Sequence, residues 1–196
     1  MLELSKKDQE IIASLKAAGV LQPLDPNKLP VNAAEEVAMC LAILCADGHR
    51  FKRIFEHLEE LLNLRGRTMI HPFADHGAPL FLSRESPLNR NGRGDNLMAS
   101  IGEVPQIKGI AAGLIIPHAP CGAATLFGLD VAQQIAHAKA GKARILETLP
   151  HIYEEPNIAC LLHLTIREGK ELTYKIAARP WEQWARQYLP SLLQVA

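Results

Sequence analysis

Two apolar runs constrain this chain more than anything else in it: Val37 to Leu44, reading VAMCLAIL, and Ile110 to Ile116, reading IAAGLII. Each is short for a helix and lacks polar alternation, which fits a strand covered on both faces, as in a parallel sheet. Each also ends in polar, metal-binding residue types. The first runs into Cys45-Ala46-Asp47-Gly48-His49-Arg50, the second into His118-Ala119-Pro120-Cys121-Gly122. Parallel neighbours would bring both motifs to the carboxyl edge of one sheet, where sites form in open α/β folds. Two thiolates and an imidazole converging there match the soft-ligand set of a zinc ion with one position left over.

The composition narrows the rest. With 196 residues, 48% of them hydrophobic, the chain buries one substantial core, so a helical arm over residues 1–30 and one α/β domain over residues 31–196 are expected. Lys plus Arg equals Asp plus Glu at 21 each, and that balance argues against a nucleic-acid or anionic-membrane partner. Neither a membrane-spanning run nor a signal peptide is apparent in a chain with so charged a start, and the expected location is the cytoplasm. Four cysteines are too few for a disulfide scaffold at this length; in a reducing compartment they read as ligands or buried small groups.

In chain order, Ser5 with Asp8 three residues on reads as a capped start, and Ile11, Ile12 and Leu15 form one apolar face that stops at Gly19. The span from Leu21 to Pro30 carries three prolines and reads as an extended connector, so the helix before it either folds back or packs on a partner subunit. Helical spacing of Phe51, Ile54, Phe55, Leu58, Leu61 and Leu62 up to Gly66 predicts a crossover helix, and Thr68 to His71 a short strand. Pro72 to Asp95 reads as a long loop, and Leu97 to Ile107 as a short helix limited by Pro105. A helix is expected from Gly122 onward with Phe127, Val131, Ile135 and Ala138 inward. Ile158 to Ile166 and Glu171 to Ala177 read as a hairpin, and Trp181 to Leu193 as a last helix begun by Pro180.

The ordered pair of motifs, Cys45-Ala46-Asp47-Gly48-His49 and then His118-Ala119-Pro120-Cys121-Gly122, each at a strand end, resembles the β-class carbonic anhydrases over about residues 35 to 178. The resemblance implies an α/β domain with a mainly parallel sheet flanked by helices, zinc held by Cys45, His118 and Cys121, and a homodimer with its cleft at the subunit boundary. It places Asp47 on an aspartate that either occupies the fourth zinc position or turns away to pair with an arginine two residues later. The implied reaction is reversible hydration of carbon dioxide to bicarbonate. Here the chain departs from the pattern: His49 occupies the arginine's position, Arg50 follows one residue late, and Gly48 stands where serine is usual. The catalytic candidates are therefore Asp47 with His49 or Arg50 as its partner. Arg50 reaches the site only if Gly48 lets the backbone adjust. Without a partner, Asp47 would stay on zinc and close the site, leaving a non-catalytic or ligand-sensing zinc protein. Hydrolysis of a small linear molecule such as carbonyl sulfide or carbon disulfide is a third reading.

His71, Asp75 and His76 follow the short strand, where the resemblance implies a cleft wall, although ordinary solvated loop residues fit equally well. Arg84, Arg90 and Arg93 form a sparse positive run that would draw an anion such as bicarbonate or simply face solvent. Cys40, five residues before Cys45, points to the opposite face and reads as a core thiol. Cys160 and His163 read as core residues of an apolar strand.

Overall fold

The computed structural model describes residues 3–24, 32–34, 37–48, 50–61, 69–165 and 171–189. The first long apolar run is strand β3 (Val37–Cys45), at the centre of a mostly parallel sheet. It pairs in parallel with β4 (Met69–Asp75) and with β5 (Gly113–Ile116). β5 in turn pairs in parallel with β7 (Ile158–Thr165), and the two-residue β6 (His118–Ala119) extends that ladder with His118 opposite His163. Antiparallel strands finish the sheet. β2 (Asn32–Ala34) lies on β3, β8 (Glu171–Ile176) on β7, and β1 (Leu21–Pro23) on β8.

Why these runs lack alternation is plain from where their side chains go. Cys40, Ala42 and Leu44 of β3 face one apolar layer with Leu114, Ile116, Ile54 and Leu58; the last two belong to α2 (Phe51–Leu61). Leu41, Ile43 and Cys45 face the opposite layer with Ile115, Ile135 and Leu162. A strand covered on both sides has no polar face to show. Cys40 is fully buried on the face away from Cys45, and burial pushes its thiol up to about 12.

Helix α1 (Lys6–Ala17) begins at Ser5, whose hydroxyl accepts the Asp8 N–H at 3.0 Å. It folds back on its own chain. Asp8 accepts the Val131 N–H at 2.9 Å, Lys7 pairs with Asp130 at 2.8 Å, and Trp184 Nε1 donates to Ser14 Oγ at 2.9 Å. Part of the expected connector is thus strand β1, and residues 25–31 lie outside the described residues.

The expected loop over 72–95 is more ordered than its prolines and glycines imply. β4 runs on through Pro72 to Asp75; among the described residues β4 pairs only with β3, and such an edge strand tolerates a residue with no N–H to donate. Helix α3 (Ala78–Phe81) follows, and Ala78, Leu80, Phe81, Leu82 and Leu88 are buried. Proline also fails to limit α4 (Arg93–Lys108), which contains Pro105. Pro105 cannot donate to the carbonyl of Ile101 one turn back. That carbonyl instead accepts the buried Tyr153 hydroxyl at 3.1 Å.

The helix expected from Gly122 divides in two, α5 (Gly122–Leu126) and α6 (Val131–Thr148). A capping box starts the second: Asp130 accepts the Gln133 N–H and the Gln133 side chain accepts the Asp130 N–H. The last helix, α7 (Ala178–Tyr188), begins two residues before Pro180, and residues 190–196 lie outside the described residues, as does the turn over 166–170.

Two predictions arise from α6. A Cβ on Gly141 would stand 2.7 Å from Leu82 Cβ, too close for either backbone to accommodate cheaply. Glycine to alanine inside a helix ordinarily stabilises by up to ~1 kcal/mol. Gly141→Ala should reverse that sign and destabilise by about 1–3 kcal/mol through overpacking, as measured by urea unfolding. The second concerns His137, buried with Nδ1 3.2 Å from Ser83 Oγ. Burial holds its pKa below the ordinary value, against a smaller opposing pull from Glu85. A depressed histidine leaves the folded state short of a proton that the unfolded chain takes up below its ordinary pKa of about 6.5. Its contribution is therefore complete above that pH and is lost as pH falls through it. Between pH 7.5 and 5.5, unfolding free energy should fall further for the native protein than for His137→Gln, about at the point where free imidazole titrates.

Candidate metal centre

Cys45 ends β3, and His118 and Cys121 follow β5, so the parallel β3–β5 register brings the three together. Their ligand atoms all lie within 4.8 Å of one another, and among the described residues no other group of three His, Cys, Asp or Glu side chains converges in this way. All are buried, with His118 1% exposed and each cysteine 3%. The sulfurs of Cys45 and Cys121 are 3.9 Å apart and form no disulfide. Two thiolates on one tetrahedral zinc with Zn–S near 2.3 Å stand about 3.8 Å apart, so this spacing suits a shared ion.

The donor groups carry the same mark. Among the described residues neither ring nitrogen of His118, both buried, has a hydrogen-bond partner, a costly state for a polar ring unless something coordinates one of them. The two sulfurs lie within hydrogen-bonding reach of each other. Hydrogen bonding from Cys45 holds the Cys121 thiol below its ordinary value against the effect of burial, with the nearby His118 ring and the Ala124 N–H adding to the fall. Cys45 is correspondingly pushed up by the bond it donates to Cys121 and by burial, while the Gly77 N–H, 3.3 Å from its sulfur, works the other way. Gly77 sits at φ 77°, a left-handed conformation, and a side chain there would run into Leu88; this is how the backbone turns that N–H onto the sulfur.

Asp47 is not among the converging ligands. Its Oδ2 accepts from Arg50 Nη1 at 3.0 Å, and Arg50, 5% exposed, also donates through Nε to Thr165 Oγ1 at 3.3 Å. The one-residue offset in the sequence is absorbed by a helical turn rather than by glycine freedom. The Asp47 carbonyl accepts the N–H groups of Arg50 and Phe51 at 2.9 and 2.7 Å, and Gly48 is not in the left-handed region. Residues three apart on a helical turn share a face, so Arg50 returns over Asp47. His49 lies outside the described residues.

A cleft of about 510 Å³ opens beside the cluster, lined by Cys45, Asp47, His76, Leu88, Ala123 and Phe127 among others. Its apolar wall carries no signal in the sequence except that Phe127 falls in a helical pattern. Leu126, also on this wall, is 79% exposed. Of the loop candidates, His76 lines the cleft, whereas His71 and Asp75 lie in β4. The arginine run is engaged on the protein itself. Arg84 pairs with Glu147 at 2.9 Å, Arg90 lies over Phe127, and Arg93 pairs with Asp75 at 2.8 Å while lying over Phe81. Cys160 and His163 are core residues: Cys160 Sγ donates to the Ala138 carbonyl at 3.6 Å, and His163 Nδ1 lies 2.9 Å from Thr173 Oγ1.

No helix among the described residues is long and apolar enough to cross a membrane. No protein-family model matches the chain, and neither does any curated protein. Among solved structures, a carbonic anhydrase from Streptococcus mutans aligns with 90% of this chain and 100% of its own, at 14% identity and a TM-score of 0.44.

Proposed function

We propose that the chain binds zinc through Cys45, His118 and Cys121 and uses it to hydrate carbon dioxide reversibly, as the β-class carbonic anhydrases do whose paired motif it resembles. The observation that carries this reading is the Asp47–Arg50 pair. With its carboxylate held on Arg50 at 3.0 Å, Asp47 leaves a three-ligand set beside a cleft that Cys45 lines. Three protein ligands with an open position mark a catalytic rather than a structural zinc site. A zinc ion bound there would supply Lewis acidity that lowers the pKa of a coordinated water to about 7.

The remaining work falls to the chain's own side chains. Arg50 fixes the Asp47 carboxylate as a hydrogen-bond acceptor at the cleft wall, where it orients the attacking group. Thr165 in turn holds Arg50 through Nε. Leu88, Ala123 and Phe127 offer an apolar surface suited to a small linear molecule without charge. His76, on the same cleft, offers an imidazole as the proton acceptor. A homodimer, as the resemblance implies, is part of the same proposal.

The test is stopped-flow carbon dioxide hydration on metal-quantified protein between about pH 6.5 and 9, spanning the range over which a metal-bound water titrates. Turnover proportional to zinc content is expected. Full zinc loading with no turnover at any pH would overturn the assignment, and carbonyl sulfide, carbon disulfide and a purely binding role would then be tried in that order.

A further inference from the structure

A second cavity, of about 320 Å³, lies at the far edge of the sheet, where β7 begins, β8 ends and α7 starts. β7 leads from this cavity at Ile158 to the neighbourhood of Arg50 at Thr165, and its eight residues span roughly 25 Å. The two sites are therefore separate.

Three lysines line this cavity, Lys139 and Lys142 from α6 and Lys175 from β8, against one carboxylate, Glu155. Lys142 is fully used by the protein. Its Nζ donates to Glu155 Oε1 at 2.7 Å and to the carbonyls of Glu155 and Ile158 at 3.0 and 2.6 Å. Lys139 and Lys175 are only partly exposed, and among the described residues neither has a carboxylate within ion-pair distance. Both ammonium groups nonetheless act on Glu155: its carboxyl is held below the usual range first by Lys142 and then, more weakly, by Lys139 and Lys175. Two cationic side chains are thus gathered around a cavity whose single anion is already neutralised. Half-burying an ammonium without a partner is unfavourable, and an anion entering the cavity would relieve both. At the cavity's rim stands the start of α7, an 11-residue helix with no side-chain cap, whose first N–H groups favour negative charge.

We propose that this cavity binds a small phosphorylated molecule, its phosphate held between Lys139 and Lys175 beside the start of α7. Lysine is a compact point charge suited to phosphate oxygens, and the volume exceeds what a lone phosphate needs.

Inorganic pyrophosphate is the probe. Calorimetric titration of the full chain at low ionic strength should show saturable binding at one site. Lys139→Ala with Lys175→Ala should weaken it by about tenfold or more, because two charge-assisted contacts are removed. Lys52→Ala with Lys108→Ala, at exposed positions on other helices, should leave it unchanged. Unchanged thermal midpoints confirm that the variants fold; if the double alanine variant does not, the single glutamine variants of Lys139 and Lys175 should each weaken binding several-fold. Absence of saturable binding by the native protein, or equal weakening by both lysine pairs, would overturn the proposal.

Discussion

Cys121→Ser protein should purify without zinc and without carbon dioxide hydration activity, the two losses scaling together across preparations. Serine keeps the shape of the side chain and the start of α5, so the fold has little reason to fail. It removes the sulfur whose thiol the bond from Cys45 holds below its ordinary value. A hydroxyl stays protonated at neutral pH and is a poor ligand for a borderline-soft ion. Loss of an outer-shell partner alone typically costs 10–100-fold in metal affinity. Loss of a ligand should cost more than about a hundredfold, enough to leave the site empty through dialysis. Metal content by atomic emission and hydration rate by stopped flow check the two arms; activity that survived without zinc would sink the proposed chemistry.

The second large effect is expected at Arg50, where zinc and activity should part company. Arg50→Leu fills much of the same buried volume but frees the Asp47 carboxylate, which is otherwise held at 3.0 Å. A carboxylate released beside a three-ligand cation site is drawn toward the ion, and its arrival would complete a closed tetrahedral set. Zinc should therefore remain bound, at least as tightly as before in an affinity titration, while hydration falls by about a hundredfold or more, the scale of losing a preorganised polar group at a reacting centre. Asp47→Ala should likewise keep its zinc, since the ligand cluster does not include it. Combining the two changes separates the cases. If Arg50 acts only by restraining Asp47, Arg50→Leu should cost little in the Asp47→Ala background. Additive losses would instead give Arg50 a role of its own.

How much of this was legible in the sequence depended on whether local pattern or distant contact decides each feature. The two ligand-bearing strands declared themselves because double-sided burial removes all polar residues from a run, and β3 and β5 are covered on both faces. Their convergence followed from parallel pairing alone. Arg50 was harder: its offset from the expected position looked disabling because the stretch after Cys45 read as a turn of arbitrary rotation. The helical hydrogen bonds from Asp47 onward set that rotation. Pro105 misled for the opposite reason. Its local cost is real, but Tyr153, 48 residues further along, takes the carbonyl it strands. The segment after Pro72 read as a loop because α3 is a single turn, and what orders it is burial of Leu80, Phe81 and Leu82 under α6, which no local pattern reveals.

The parallel register that joins Cys45 to Cys121 also sets when the metal site can exist. The two sulfurs are 76 residues apart in the chain, and the elements between them include α2, β4, α3 and α4. Closing so long a loop carries an entropic cost that only the finished β3–β5 pairing repays, and parallel pairings of this kind are slow to form. A nascent chain offers a cation isolated cysteines and histidines; the high-affinity constellation comes with the sheet itself. On the proposed zinc reading, metal uptake is expected late in the protein's maturation. A zinc-sensitive dye followed during refolding would register the moment the central strands lock, well after the helices have gained their far-ultraviolet signal.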